Sequence, residues 1–359
     1  MAQADADLGA LTLPLFDPAL GHAPDGPLAG VDHELMSRFR SAGLVAFGQT
    51  TAPEFGLNFA TEPVRYGPTR NPRAPDRGVG GSSGGSAALV AAGAVPLAHG
   101  NDGAGSLRVP ASCCGLVGLK PSRGRIPCGP LVGEAGFGHI YEFALTRTVR
   151  DTANLLDAVA APPVGEKYSA PAQSGSYADA VRVDPGGLRV ALTTAPWGET
   201  SVDPQVSAAT VAAGAILEWI GHTVTEDRPQ FDGEDVVEAS MLTAVSTGAA
   251  ILRAPRRQDP ALLEAVSRTV LQETQAFTAL DVAAALDAQH RVTRSIGLSP
   301  FNLSGHPAIS LPLALSREGL PIGVQLVAAT GREDLLLQVA AQVEQAVPWK
   351  DRQPSIFVD

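Results

Sequence analysis

The 359-residue sequence is poor in lysine, cysteine and aromatic residues, and each shortage excludes something. Lysine occurs only at Lys120, Lys167 and Lys350, and acidic side chains outnumber basic ones by 37 to 26. A formal charge of −11 argues against a nucleic-acid or anionic-membrane partner, because both attract basic surfaces. "RAPRR" at 253–257 is the densest basic spot and reads as a solvated helix end. The cysteines, Cys113, Cys114 and Cys128, are too few for a disulfide framework and lack metal-ligand spacing, so they read as small buried hydrophobes. "HRVTR" has no second ligand at i+4, so neither a metal nor another cofactor is expected. No uninterrupted apolar run approaches the length of a membrane-spanning helix. The opening "MAQADADLGALTLPLF" has no basic stretch ahead of an apolar one, so a secretory leader is not expected and a cytoplasmic protein is.

What is present is a large apolar fraction, 45%, enough for a sizeable core. Residues 1–30 read as irregular. "DHELMSRFRSAG" follows the helical period, with Asp32 as its cap and Leu35, Met36 and Phe39 on one side. "LVAFG" then reads as a short buried strand, and 52–77 as a loop rich in proline and arginine. Helices are expected over 86–95, 151–161 (capped by Asp151), 204–221 and most of 232–297. Strands are expected at "PLAHG", "GLRVALTT", "HTVTED", "HPAISLPLAL" and "PIGVQLVAA", before a last helix, "REDLLLQVAAQVEQAV". Alternating strands and helices predict an α/β fold with a layered sheet. No repeat or linker divides the chain, so one domain over 1–359 is expected.

The glycine-rich stretch "GVGGSSGGSAALVAAGAVPLAHGNDGAGSLRVP", residues 78–110, carries the chemistry. As a linker it fails, because it runs straight into an apolar helix and strand. As a phosphate loop it lacks the Walker lysine, and as a dinucleotide fingerprint it has Ser83 where the third glycine belongs. Nucleophilic catalysis is the third reading: a serine needs a base to take its proton and donors to hold an oxyanion. "NDGAGS" after a strand can supply donors, since small residues let backbone amides approach a carbonyl. G-x-S-x-G is absent, which excludes the nucleophile elbow.

The run Gly80–Ser86, "GGSSGGS", followed by "GNDGAGSLRVP" at 100–110 and "CGLVGLKPSRGRI", resembles the signature of the amidase signature family. "SAGLVAFGQTTAPEFG" upstream and "FNLSGHPAISLPLALSREGLPIGVQLVAATGREDLLLQVA" downstream agree with it. The resemblance implies an amidase-signature fold, a mixed central sheet between helical layers, here as an incomplete copy. It places the core signature at 76–130 and a substrate-side helical region at about 232–297. It implies that Ser106 is the nucleophile and that Ser82, on a cis peptide, is the bridging serine. Backbone amides of Gly103, Ala104, Gly105 and Ser106 would form the oxyanion hole, with Ser83, Asp102 and Arg108 in support. It also implies a small-molecule amide substrate, no cofactor, and a homodimer.

The family's third catalytic group is a lysine in a strand written roughly G-[VI]-P-x-x-[VL]-K-D, after a segment like "GPLAGV". Residues 26–31 supply that segment, but "DHELM" follows at once, and the lysine-bearing strand has no counterpart. The general-base lysine is therefore unassigned. His99 reads as a packed or hydrogen-bonded strand residue and His306 as a loop residue. A second gap precedes "LSPFNLSGHPAISLP", where the family carries a buried strand. Three readings stand: an amide hydrolase, an inactive amidase-like remnant or binding scaffold, and, more weakly, an amidotransferase-like subunit.

Overall fold

The computed structural model describes residues 2–14, 31–130, 132–160, 165–196, 198, 200–254, 259–295 and 301–358. Helix α1, Ala2–Leu8, and strand β1, Leu11–Pro14, occupy a stretch read as irregular, and β1 pairs antiparallel with β2, Gly48–Thr50. Helix α2 spans Glu34–Ser41 and buries Leu35 and Phe39, with Met36 packed beside them. Its cap is His33 rather than Asp32: the His33 ring accepts from the Leu35 amide, while Asp32 pairs with Arg40. "LVAFG" is not a buried strand. Val45 and Phe47 are exposed, and the strand begins only at Gly48. Within the stretch read as loop, β3 (Arg70–Asn71) and β4 (Ala74–Gly78) form a small hairpin.

Helix α3, Gly84–Ala91, is buried at every position. Its apolar residues show no polar face, as a fully enclosed helix requires. A Cβ on Gly84 would stand 2.2 Å from Thr61 Oγ1, and one on Gly85 2.5 Å from the Thr51 amide. The double glycine therefore lets the start of α3 lie against the Thr61 and Val79 side chains and the Thr51 and Ala10 backbone, where no Cβ fits.

Strand β5, Leu97–Asp102, leads through a turn to α4, Arg108–Cys114, and β6, Val117–Lys120. Strand β7, Tyr141–Thr146, precedes α5, Val149–Val159, whose cap is Thr148, with Asp151 inside the first turn donating its amide to the Thr148 hydroxyl. Short α6 is Tyr177–Ala180. Strands β8 (Arg189–Leu192) and β9 (Thr223–Glu226) flank α7, Pro204–Trp219, and pair in parallel as a separate sheet. Then come α8 (Gly233–Arg253), α9 (Ala265–Ala276), α10 (Ala279–Ser295) and one-turn α11 (Phe301–Ser304). The chain closes with β10 (Ala308–Leu315), β11 (Pro321–Val327) and α12 (Glu333–Ala346). Residues 255–257 of the basic spot, and 26–30, lie outside the described residues.

The central sheet runs β11-β10-β6-β7-β5, and all its described pairs are antiparallel. Parallel pairing is confined to β8–β9. The main core joins this sheet to α3, α4, α5, α7 and α12, through residues such as Leu107, Leu119, Phe143, Leu156, Ile309 and Leu337. Helices α8–α10 have smaller cores of their own around Ala239 and Ala288, and around Ile251 and Leu271. By length and composition α8 is long and apolar enough to cross a bilayer. It carries Glu234, Asp235 and Glu238 at its start and packs between α9 and α10.

Candidate active site

Two chain turns meet at the site. One precedes α3 and holds Ser82; the other joins β5 to α4 and holds Ser106. The Ser83 amide donates to the Ser106 carbonyl at 3.3 Å, which fastens one turn to the other. The Gly81–Ser82 peptide is cis. Ser82 and Ser106 are almost enclosed, 3% and 6% exposed, and neither hydroxyl has a hydrogen-bond partner among the described residues. The Thr61 hydroxyl donates to the Gly80 carbonyl at 2.8 Å and holds the first turn from behind. The Ser83 hydroxyl donates to the Asn101 carbonyl at 3.3 Å and ties that turn to β5.

The second turn is Gly103–Ser106. Gly105 takes φ 139°, a left-handed conformation that a side chain would strain. Its amide, with those of Gly103, Ala104 and Ser106, has no acceptor among the described residues. Consecutive amides at such a turn suit an oxygen that gains negative charge.

Asp102 closes the base of this turn. Its carboxylate accepts from Arg108 Nε at 2.9 Å, from Arg108 Nη2 at 2.8 Å and from the Leu107 amide at 3.3 Å. One buried side chain thus grips both ends of the four-residue turn. Burial pushes the Asp102 carboxyl up, but the charge and bonds of Arg108, with the amide of Asn302, outweigh it and bring it down to about 2. Asp102 is therefore an anion at neutral pH, and it orients rather than exchanges protons.

Asn302, at the start of α11, completes the cluster. Its Nδ2 donates to the Asp102 carbonyl at 2.8 Å, the Asp102 carboxylate at 2.9 Å and the His139 carbonyl at 3.1 Å. Its Oδ1 accepts from Arg108 Nη2 at 2.5 Å. Arg108 Nη1 reaches Gln325 of β11 at 2.8 Å. Asn302 and Gln325 were not singled out in the sequence. They sit in the "FNLSGHP" and "GVQLV" stretches, where nothing local says that a polar residue turns inward.

The three lysines lie apart from this arrangement in their bonding. Lys120 ends β6, is fully buried, donates to the Pro121 carbonyl at 2.9 Å and sits 3.6 Å from the centre of the Tyr141 ring. Burial, reinforced by the like charge of Arg108, lowers its pKa well below the ordinary lysine value. Lys167 pairs with Glu134 at 3.0 Å, and Lys350 is exposed. His99 is not enclosed in its strand: it is 40% exposed and its Nε2 meets Glu142 Oε2 at 2.6 Å. His306 is buried, with Nδ1 2.9 Å from the Ser304 hydroxyl. Among the described residues, no group of three His, Cys, Asp or Glu side chains could hold a metal ion.

The Amidase family matches residues 25–297 and 270–337. The chain belongs to the amidase family. This amidase is 39% identical to the 6-aminohexanoate-cyclic-dimer hydrolase of Paenarthrobacter ureafaciens over 396 residues, covering 94% of this chain and 80% of that one. It is 36% identical to the putative amidase AmiC of Mycobacterium tuberculosis over 387 residues, covering 90% and 77%. A solved structure of 6-aminohexanoate cyclic dimer hydrolase complexed with substrate superposes at a TM-score of 0.87 with 36% identity, over 98% of this chain and 86% of that one. A bacterial aryl acylamidase shares the fold at a TM-score of 0.85 with 21% identity. The amidase is an amide-hydrolysing enzyme by this kinship. The 396 aligned positions exceed its 359 residues, so the first relative carries segments with no counterpart here.

Proposed function

We propose that the amidase hydrolyses a small-molecule amide through an acyl-enzyme on Ser106. The observation that carries this reading is the meeting of the Ser82 and Ser106 turns beside four amides that lack a described acceptor. In the proposed reaction Ser106 Oγ attacks the amide carbonyl and the Gly103–Ser106 amides hold the developing oxyanion. The proton leaves Ser106 through Ser82 and reaches the departing amine. Water then attacks the acyl-enzyme, giving the carboxylic acid and free Ser106. Asp102 and Arg108 keep the turn in shape, and Ser83 fixes the Ser82 turn to β5. The chain acts as a single domain in this reading, and neither metal nor cofactor enters any step.

The relay needs a base beyond Ser82. The only three lysines in the sequence bond elsewhere, to Pro121 and Glu134, or stand exposed. This favours a second reading, an amidase-like scaffold that binds carbonyl compounds and turns over little. One experiment separates the two. The protein is assayed with 6-aminohexanoate cyclic dimer, the substrate in the relative's name, and with simple aliphatic and aromatic amides. A fluorophosphonate probe is tested on the same samples. Turnover and probe labelling, both abolished in Ser106→Ala, support the hydrolase. Turnover that survives Ser106→Ala overturns the assignment of the nucleophile. Absence of both in the native chain supports the scaffold.

A further inference from the structure

The loop that follows β2 lies across both serine turns. Phe55 takes φ 51° and Gly56 φ 72°, and these two left-handed residues bend the chain back toward the site. A Cβ on Gly56 would stand 3.3 Å from Ser82 Oγ. Phe59 then meets both turns at once. Its backbone lies on Gly81, where a Cβ would come within 2.8 Å of the Phe59 carbonyl carbon. Its ring edge lies by Gly105, where a Cβ would stand 3.7 Å from Phe59 Cε1. Gly81 and Gly105 are the residues just before Ser82 and Ser106.

The far end of the second turn also has carbon against it. A Cβ on Gly103 would stand 3.5 Å from Ile140 Cγ1 and 3.9 Å from the Thr243 methyl of α8. The Thr243 hydroxyl is 3.2 Å from His139 Nδ1, so its hydrogen bond goes to the imidazole and its methyl to the turn. The charged side chains of the loop are engaged elsewhere. Glu54 accepts from the Glu264 amide at 2.9 Å, Glu62 lies by Gly78, and Arg65 lies over the Tyr66 ring. Glu264 in turn accepts from the Val64 amide at 2.7 Å, so two carboxylate bonds fasten the loop to the start of α9.

Phe59 is nonetheless 54% exposed. A lone exposed phenylalanine on a surface needs no explanation. This one is anchored through its backbone, rests its edge on the serine turn and leaves more than half of its surface open beside the two hydroxyls. Ligand sites join a few polar donors to apolar and aromatic walls, and here the donors are the Gly103–Ser106 amides. We propose that Phe59 is a specificity-determining residue. Its ring, with Ile140 and the Thr243 methyl at the other end of the turn, gives the site apolar walls that select amides bearing an alkyl chain over short ones. The inference rests on the reading of the Ser82 and Ser106 turns as the reacting site.

The test is binding of acetamide, butyramide and hexanamide to the full chain carrying Ser106→Ala, followed by ligand-observed NMR. A methylene laid on a wall that is open on one side gains about twofold in affinity, half the free energy of full burial. Hexanamide is therefore expected to bind about tenfold or more tighter than acetamide. Adding Phe59→Gln keeps bulk beside Gly105 and removes the apolar face, and is expected to cut that preference to about threefold or less, with acetamide unchanged. Phe59→Leu is expected to keep most of it. Equal affinities across the series in Ser106→Ala overturn the proposal, as does a preference that Phe59→Gln leaves intact. Equal weakening of all three amides by Phe59→Gln and Phe59→Leu makes Phe59 a support of the turn and also overturns it. Hexanoate appearing in the Ser106→Ala sample counts against Ser106 as nucleophile and leaves the chain-length comparison standing, so the two readings fail separately.

Discussion

Two buried arginine–carboxylate pairs share a chemistry and differ in what they hold. Asp102 and Arg108 grip the Gly103–Ser106 turn; Glu333 and Arg125 pin the start of α12 to the loop after β6. Both carboxylates are fully buried and both guanidinium groups nearly so. Glu333 Oε1 accepts from the Ser122 amide at 2.8 Å and from Arg125 Nε at 3.2 Å, while Ser122 Oγ accepts from the Gly331 amide at 2.8 Å. That network is as complete as the one around Asp102, yet it closes on a helix end and a loop. A buried ion pair is thus no sign of function by itself. The difference is that the Asp102 network encloses four backbone amides and a serine hydroxyl, whereas the Glu333 network encloses only its own bonds.

The largest expected effect tests that difference. Asp102→Ala and Glu333→Ala each leave a buried guanidinium without its partner, at a cost of about 3–5 kcal/mol. Urea unfolding is expected to show similar losses for both. Activity is expected to separate them. Hydrolysis per folded molecule falls by roughly 100-fold in Asp102→Ala, because the serine turn loses its clamp. It stays near the native value in Glu333→Ala. A Glu333→Ala enzyme that is folded but inactive would erase the distinction drawn between the pairs.

Acid titration sharpens the comparison at a smaller scale. Asp102 releases its proton at about 2 in the folded chain, against an ordinary value of 3.8. Between those values the unfolded chain binds more protons. The stability supplied by Asp102 is therefore complete above about pH 4 and drains away as pH falls through about 2, some 2 kcal/mol in all. Stability measured against pH is expected to fall more steeply over this window in the native protein than in Asp102→Asn. Parallel curves would show that the Asp102 carboxylate gains nothing from Arg108 and Asn302.

The sequence made the signature region legible because its constraint is local. Gly84 and Gly85 leave no room for a Cβ, Gly105 takes a left-handed φ, and Ser82 and Ser106 follow at fixed offsets. Spacing alone carries such information. The periodic helices α7 to α10 and α12 were legible for the same reason. Asn302 and Gln325 were not, since their meaning comes from a fold that brings α11 and β11 beside residues some 200 positions earlier. The capping assignments at Asp32 and Asp151 missed by one and three residues. In both places a neighbour, His33 or Thr148, already offered an acceptor to the first free amides. "LVAFG" misled because apolar composition fits an exposed loop as well as a strand, and nothing in five residues tells them apart.

The smallest effect comes from replacing each arginine by lysine. The charge is kept and the planar fork is lost. Arg125→Lys gives up one of its two contacts to Glu333, at about 1 kcal/mol, and activity per folded molecule is expected to hold. Arg108→Lys gives up more, because Nε, Nη1 and Nη2 serve Asp102, Gln325 and Asn302 at once and one ammonium cannot span all three. Thermal melts of the two variants are expected to lie within a few degrees of each other. The kcat of Arg108→Lys is expected to fall while that of Arg125→Lys does not. Equal kcat values in two equally stable variants would mean that the turn carrying Ser106 needs only a positive charge near Asp102, and that the forked geometry linking β5, α11 and β11 contributes nothing to the reaction.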